Sequence, residues 1–118
     1  MNNREKGAIG EQQALEFLQR KGYKLIEKNW HYSRNAEIDL IMIDGKTLVF
    51  VEVKKRANLN FGHPFEAITS NKLKNIRLAA SAYLNENSNK LKVKNFRIDG
   101  IAVIQNPFSI EHLKNIEF

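Results

Sequence analysis

Residues 37–56, EIDLIMIDGKTLVFVEVKKR, carry the strongest structural signal in this sequence. Two apolar runs of strand-like composition, residues 37–43 and 47–54, flank the dipeptide Asp44-Gly45. This dipeptide is strongly favoured in tight hairpin turns, because glycine tolerates a positive φ. The stretch therefore predicts a β-hairpin with a two-residue loop.

The register of this hairpin decides which side chains share a face. A loop at the two turn residues places Asp39 opposite Phe50 and Glu37 opposite Glu52. Asp39 and Glu52 then become diagonal neighbours, roughly 7 to 8 Å apart at Cα. One face carries Glu37, Asp39, Ile41, Ile43, Leu48, Phe50, Glu52 and Lys54, and the other is wholly apolar, with Ile38, Leu40, Met42, Val49, Val51 and Val53. A three-residue loop would reverse this parity and separate the two carboxylates.

The charged side chains on one face of the hairpin indicate a divalent-metal site. A hard cation such as Mg²⁺ prefers oxygen ligands and keeps several waters, which suits Asp39, Glu52 and a phosphate oxygen. The carbonyl of Val53 could add a ligand, and Glu11 could complete the shell from the first helix. Lys54 could orient or activate the attacking water and stabilise negative charge at phosphorus. The alternative is that Glu52 and Lys54 form an ordinary solvated pair of little energetic weight.

The remaining sequence predicts two helices and further strands around the hairpin. Glu11, Ala14, Leu15 and Leu18 recur at helical spacing, so a helix is expected from Arg4 to Lys21, with Glu11 on its buried stripe. Further elements are a short strand at residues 23–29, loops at 31–35 and 57–64, a helix from the N-cap Ser70 to about Asn87, and a strand at 96–104 that Asn106-Pro107 ends. Lys90, Lys92 and Lys94 alternate with apolar residues as in an edge strand, and residues 110–118 are ambiguous.

The order α-β-β-β-α-β predicts one α/β domain over residues 1–118, in which helices flank a central mixed sheet. The chain has 118 residues, 42% of them hydrophobic, which is enough for a single core. It has no cysteine, which excludes disulfides, thiolate zinc sites and a cysteine nucleophile. The N-terminus lacks the apolar core of a signal peptide, and the strongest apolar run contains Glu52, so we expect a cytoplasmic protein that does not enter a membrane.

The charge of the chain favours a polyanionic partner. Nineteen Lys and Arg residues face thirteen Asp and Glu residues, which leaves a formal net charge of +6. Lys55, Arg56 and Lys72 are the predicted phosphate contacts near the carboxylates, with Lys74 as a further candidate. A solvated basic surface is the alternative for each of them.

The hairpin residues resemble the core of the PD-(D/E)XK nucleases, with Asp39 followed by Glu52-Val53-Lys54. Nearly the whole chain resembles the small bacterial YraN-like proteins, a largely uncharacterised family with a restriction-endonuclease-like fold, related to archaeal Holliday-junction resolvases. The matching elements are Gly10-Glu-x-x-Ala14, Gly22-Tyr23, Asn29, Phe61-Gly-x-Pro64, Lys72, residues 79–84, Arg97-x-Asp99 and Ile110-Glu-His. Ala36 and Ile98 depart from the family pattern, and neither is a proposed ligand.

The resemblance implies that Glu11, Asp39, Glu52 and Lys54 form the metal-binding and catalytic set. Together with the charge it predicts a DNA endonuclease that hydrolyses phosphodiester bonds with Mg²⁺ or Mn²⁺, with branched DNA as a resolvase-like substrate. Two cuts across a junction would favour a symmetric homodimer. The alternative is a non-catalytic nucleic-acid-binding module within a DNA repair or uptake complex.

Overall fold

The sheet is built around the hairpin, because alternating side chains allow its two strands to be covered on both faces. The computed structural model describes residues 2–34, 36–93 and 95–117. Its elements are, in chain order, α1 (Asn3–Arg20), β1 (Lys24–Ser33), β2 (Ala36–Asp44), β3 (Thr47–Arg56), a 3₁₀ turn (Pro64–Ala67), α2 (Ser70–Leu91), β4 (Asn95–Gln105) and β5 (Phe108–Leu113).

The five strands form one sheet in the order β1-β2-β3-β4-β5. All neighbours are antiparallel except β3 and β4, which are parallel, so the chain between them must cross over the sheet and does so through α2. This confirms the predicted α/β domain with a mixed sheet and flanking helices. The last strand, β5, comes from the tail that the sequence pattern left ambiguous.

Each face of the sheet packs against one helix. The α1 face carries Ala14, Leu15, Leu18, Leu40, Met42, Val49, Val51, Val53, Ile101 and Val103. The α2 face carries Ile38, Ile41, Leu48, Phe50, Leu73, Ile76, Ala79, Ala80, Tyr83 and Ile98. The predicted alternation is therefore correct over most of the hairpin, but Ile38 packs on the α2 side instead of the face that holds Leu40.

The hairpin register differs from the prediction by a shift that preserves parity. Asp44 pairs with Thr47 and Ile41 pairs with Phe50, so Asp39 does not lie opposite Phe50 as predicted. Asp39 and Glu52 are instead the next residues beyond the last pair, Leu40 and Val51, and are not diagonal neighbours. The loop is Gly45-Lys46, with Gly45 at φ +63°, as in turns that place glycine at the first central position.

The boundaries of β1 and α2 also differ from the prediction, and an expected strand segment is not formed. Strand β1 extends to Ser33, because residues of the expected loop at 31–35 pair with β2, and Asn35 lies outside the described residues. Helix α2 starts from Thr69, whose hydroxyl accepts a hydrogen bond from the Lys72 N–H, and it continues to Leu91. Lys90 is therefore helical and Lys92 is the left-handed C-cap, so the expected edge strand is wrong there; Lys94 lies outside the described residues.

Neither helix in the described part of the chain is both long and apolar enough to cross a bilayer.

Candidate active site

A cleft opens where β2 and β3 stop pairing. Their ladder ends at Leu40 and Val51, beyond which β2 continues to pair with β1 and β3 continues to pair with β4. The next residue of each strand is an acid, Asp39 on β2 and Glu52 on β3. Asp39 Oδ2 accepts a hydrogen bond of 2.7 Å from the Val53 N–H, so a side chain takes the place of the interrupted ladder. The two carboxylates are thus brought to the same opening.

The cleft has a volume of about 230 Å³ and a mixed charge. Its lining residues are Arg34, Glu37, Asp39, Glu52, Lys72 and Ile76. Glu37, which the sequence placed on the same face, stands at the rim, half exposed, with an oxygen 3.7 Å from His31 Nε2. Arg34 was not predicted from the sequence. It follows β1 in the turn to β2, and only the pairing of these strands brings it beside the carboxylates.

Two lysines converge on the carboxylate of Glu52, which is only 5% exposed. Lys54 Nζ lies 3.2 Å and Lys72 Nζ 2.8 Å from the same oxygen, Oε1. Burial and the neighbouring Lys72 ammonium lower the pKa of Lys54. Burial also acts to lower the pKa of Lys72, but the contact with Glu52 outweighs it and the pKa is raised. The two cations therefore differ, although they share one partner.

Lys72 is predicted from the sequence only as a phosphate contact, and its ion pair with Glu52 is a finding of the structure. It occupies the first turn of α2, which contains no acidic residue, although helix dipoles favour anions there. A lysine at this position is mildly unfavourable for the helix alone, and Glu52 offsets that cost. A lysine in the first turn of a helix is therefore the feature of the sequence that indicates a role for Lys72 outside the helix.

Asp39 is the carboxylate most strongly affected by its surroundings. Burial raises its pKa, and the negative charge of Glu52 raises it further, so that the pKa rises to about 7 despite the Val53 hydrogen bond. Glu11 adds to the same effect from α1. A cation bound beside these acids would favour the ionised form of Asp39 and lower its pKa.

Glu11 approaches this acidic group from the helix on the other face of the sheet. Its side chain is 18% exposed, Oε2 lies 3.6 Å from Lys55 Nζ, and Oε1 is buried without a hydrogen-bond partner. The neighbouring Gly10 explains the contact, because a Cβ there would lie 2.5 Å from Cγ of Lys55 and 2.7 Å from its Cδ. The absent side chain lets the lysine stem cross the helix and reach Glu11.

The residues present fit a hard divalent cation in their chemistry. The donors are carboxylate oxygens. The pKa of Asp39 is raised to about 7, and Glu11 has a buried oxygen without a hydrogen-bond partner. Among residues 2–34, 36–93 and 95–117, however, no three His, Cys, Asp or Glu side chains stand close enough to form a ready-made cage. This agrees with Mg²⁺ sites that use one or two carboxylates and keep waters or substrate oxygens as the other ligands.

A larger groove of about 590 Å³ lies beside α1, at the end of β3 that follows Lys54. It is lined by Asn3, Lys6, Gly7, Ile9, Lys55, Arg56, Ala57 and Gln105. The structure thus separates the three predicted phosphate contacts. Lys72 lines the carboxylate cleft, whereas Lys55 and Arg56 line the basic groove, and Lys55 also contacts Glu11.

A second polar cluster surrounds Asp99, whose role the sequence pattern left unassigned. Asp99 is fully buried, accepts hydrogen bonds from Arg97 Nε at 3.0 Å and His112 Nε2 at 2.8 Å, and also accepts one from the Asn115 N–H. Burial alone would raise the pKa of Asp99, but these donors outweigh it and the pKa is lowered. Asp99 therefore fastens the segment after β5 to β4 and is not part of the cleft.

Comparison with known proteins identifies relatives along almost the whole chain. Residues 10–103 match the model of a family described as "Uncharacterised protein family UPF0102". A UPF0102 protein of Beutenbergia cavernae is 41% identical over 93% of this chain and 93% of its own length. One of Vibrio cholerae is 41% identical over 98% and 93%, and one of Chlorobium phaeobacteroides is 40% identical over 92% and 90%. The matched region includes the cleft, and these descriptions state no activity.

Proposed function

Because the chain belongs to the uncharacterised protein family UPF0102, we propose its function from the site itself: a Mg²⁺- or Mn²⁺-dependent endonuclease that hydrolyses phosphodiester bonds in DNA, in the cytoplasm. The observation that carries this proposal is the opening between β2 and β3, where Asp39 and Glu52 meet beside Lys54 and Lys72. The arrangement supports membership of the PD-(D/E)XK superfamily, in which an acid is followed by the E-x-K pattern, here Glu52 to Lys54.

The cation would be held by Asp39, Glu52, the carbonyl of Val53 and, from α1, Glu11. When bound, it supplies a Lewis acid that polarises a phosphate oxygen and favours the ionised form of a water. The chain's own groups prepare the position. Val53 donates its N–H to Asp39 Oδ2 and so fixes the orientation of that carboxylate, while burial of Glu52 excludes most solvent from its side.

Lys54 is the residue we assign to the attacking water and to the charge that develops at phosphorus. Its ammonium group is largely buried and 3.2 Å from Glu52, so it is held in place without needing to be ordered by the substrate. A preorganised positive charge in a partly dehydrated cleft stabilises developing negative charge more strongly than one in water. Lys72 contacts the same Glu52 oxygen and lines the cleft, where it can contact a neighbouring phosphate.

The basic groove supplies binding surface for the rest of the nucleic acid. Lys55 and Arg56 line it, and the net charge of +6 favours approach of a polyanion. Branched DNA is the proposed resolvase-like substrate. Symmetric cuts on two strands of a junction would require two copies of the cleft and hence a homodimer.

Lys54→Ala tests the proposed activity most directly. We expect wild-type protein to nick labelled four-way junction or flap DNA with Mg²⁺ or Mn²⁺ and to lose this activity with EDTA, and we expect the variant to lose at least about a hundredfold in rate while binding DNA normally. Lys46→Ala is the matched control, because Lys46 is an exposed turn lysine at the far end of the same hairpin. Equal cleavage by Lys54→Ala and wild type would refute the assignment.

Lys55→Ala and Arg56→Ala are expected to weaken binding to all DNA sequences alike and to reduce its salt dependence. Each lost phosphate contact should lower the slope of log K against log salt concentration by about one. Fluorescence anisotropy titrations at several salt concentrations measure this slope. Lys74→Ala, an exposed lysine on α2 that does not line either cavity, is the comparison. If the variants and the comparison have the same slope, the groove is not a phosphate surface.

One observation favours a second candidate, a non-catalytic nucleic-acid-binding module in a repair or uptake complex. Lys54 and Lys72 both contact Oε1 of Glu52, so two ammonium groups already balance the charge that a divalent cation would meet at this carboxylate. This candidate predicts that wild type binds DNA but cuts no DNA or RNA with any divalent cation, and that Lys54→Ala changes neither property.

A further inference from the structure

The loop between β3 and the 3₁₀ turn presents a phenylalanine to solvent. The Phe61 side chain is 99% exposed, and Leu59, two residues earlier, is about half exposed. An aromatic ring buries more apolar area than most side chains when it packs against a partner. A completely solvated ring leaves that area in contact with water, which is unusual in a small domain. Phe61 packs on nothing in the fold, and the core does not need it.

The ring is held outward by an ordered loop. The Gly62 N–H donates to the carbonyl of Leu59, and the Asn60 N–H donates to Asn58 Oδ1, so two local turns close the tip. Gly62 has φ +98°, and a Cβ there would lie 2.6 Å from a carboxylate oxygen of Glu66. The residue after Phe61 therefore has to be glycine for the backbone to turn in this way.

Both ends of the loop are fastened to the β4–β5 hairpin. The carbonyl of Ala57 accepts a hydrogen bond of 2.8 Å from the Asn106 N–H, and His63 Nε2 contacts a carboxylate oxygen of Glu111. The first of these residues, Ala57, also lines the basic groove. The exposed ring is thus carried on a loop that is fixed at both ends and whose first residue borders the surface proposed to bind phosphates.

The charge around the loop indicates what kind of partner the ring meets. Three cationic side chains, Lys54, Lys55 and Arg56, immediately precede the loop, whereas the carboxylates of Glu66 and Glu111 lie at its other end, beside Gly62 and His63. The cationic end attracts a polyanion, and the flat faces of nucleic-acid bases are apolar surfaces that stack on aromatic rings without regard to sequence. In a continuous duplex these faces are already stacked on one another, whereas at a branch point or in a single strand they are accessible.

We propose that Phe61 stacks on an unpaired base of the nucleic-acid substrate and so gives the protein a preference for branched or single-stranded DNA over continuous duplex. This inference rests on the proposed function and specifies its substrate. The basic groove holds the backbone irrespective of structure, and the ring adds affinity only where a base face is free. Substrate choice then depends on a residue that touches neither the carboxylates nor the lysines of the cleft.

Phe61→Ala in the full chain tests the proposal by binding in EDTA, with a four-way junction and a 12-nucleotide single strand compared with a blunt duplex. We expect affinity for the first two to fall by about tenfold or more and affinity for the duplex to change less than twofold. The fold should be unaffected, because the ring is exposed. Phe108→Ala, which removes a half-exposed phenylalanine from β5, is the matched control and should alter none of the three affinities.

Phe61→Trp provides a direct reading of stacking. Its indole fluorescence should be quenched by the single strand and the junction but not by the duplex, after subtraction of the signal from Trp30, the chain's one native tryptophan. Equal affinities of Phe61→Ala and wild type on every DNA, or no selective quenching, would overturn the stacking role alone. If the wild-type protein binds none of these DNAs, the proposed function is refuted as well. If it binds them and quenching is selective but no cleavage occurs, the stacking role is supported and only the nuclease activity is refuted.

Discussion

Asp39→Asn is expected to eliminate Mg²⁺-dependent cleavage while making the metal-free protein more stable. The pKa of Asp39 is raised to about 7 by burial and by Glu52. Ionisation of this carboxylate therefore lowers the free energy of unfolding. Asparagine keeps an oxygen that accepts the Val53 N–H but removes the charge. We expect a gain of about 1 to 2 kcal/mol in the free energy of unfolding at pH 8 and a loss of at least about a hundredfold in cleavage rate.

The pH dependence identifies the cause of that gain. Because the folded-state pKa lies above the unfolded value, the folded protein binds more protons than the unfolded chain between about pH 4 and 7. Wild-type stability should therefore fall as pH rises through this window, and the variant should lack this part of the fall. Urea denaturation in EDTA at pH 5 and pH 8 measures the difference, which should be small at pH 5 and larger at pH 8.

Glu37→Gln is the matched control for this experiment. Glu37 stands on the same strand at the rim of the same cleft, but it is half exposed and near His31 only at 3.7 Å. Its removal should change the free energy of unfolding by less than about 0.5 kcal/mol and leave cleavage in place. Cleavage by Asp39→Asn at the wild-type rate would contradict the ligand role, and a less stable Asp39→Asn would contradict the cost assigned to its charge.

Asp99→Ala is expected to destabilise the protein more than any change in the cleft, by about 3 to 5 kcal/mol. Asp99 is fully buried and receives hydrogen bonds from Arg97, His112 and the Asn115 N–H. Removing it leaves a mostly buried guanidinium with Asp44 as its remaining carboxylate partner, at 3.2 Å, and detaches the segment after β5. Urea denaturation followed by circular dichroism measures the loss.

The stability of the protein at low pH provides a second test of the role of Asp99. The pKa of Asp99 is lowered in the folded state, so its contribution to stability is present above the unfolded pKa of about 3.9 and is lost as pH falls through the lower folded value. Wild-type stability should therefore decline below about pH 4, and the decline should be shallower in Asp99→Ala. Asp44→Asn, which changes a more exposed partner of Arg97, should cost less than about 1 kcal/mol. A similar cost for both variants would refute the central position of Asp99.

The hairpin shows how far local pattern carries a prediction. Alternation of apolar and charged residues identifies the two faces around Phe50 and Val51, because a strand exposes successive side chains on opposite sides. The predicted pairing is wrong, since the loop is Gly45-Lys46 and Asp44 remains in the strand. Asp44 bonds to Arg97 of β4, a contact 53 residues away that no turn preference includes. The parity was retained because the register shift is even.

The cleft shows where local pattern ends. The acids Asp39 and Glu52 and the lysine at position 54 can be singled out from their spacing in one hairpin, but the pair of lysines on Glu52 cannot. Lys72 reaches that carboxylate because α2 crosses over the sheet from β3 to β4. Likewise, Gly10 is understood only when the stem of Lys55 is seen to cross it.

Side-chain periodicity and charge are properties of neighbouring residues, and they are enough to predict one basic α/β domain whose central hairpin carries acids on an otherwise apolar sheet. Four features follow from the folded chain alone: the β2–β3 ladder opens at Asp39, two lysines share Glu52, Asp99 is a buried anchor, and Phe61 is exposed to solvent. These features depend on which distant elements come into contact. Packing of both helices on the sheet selects those contacts, and no short stretch of the chain contains the information.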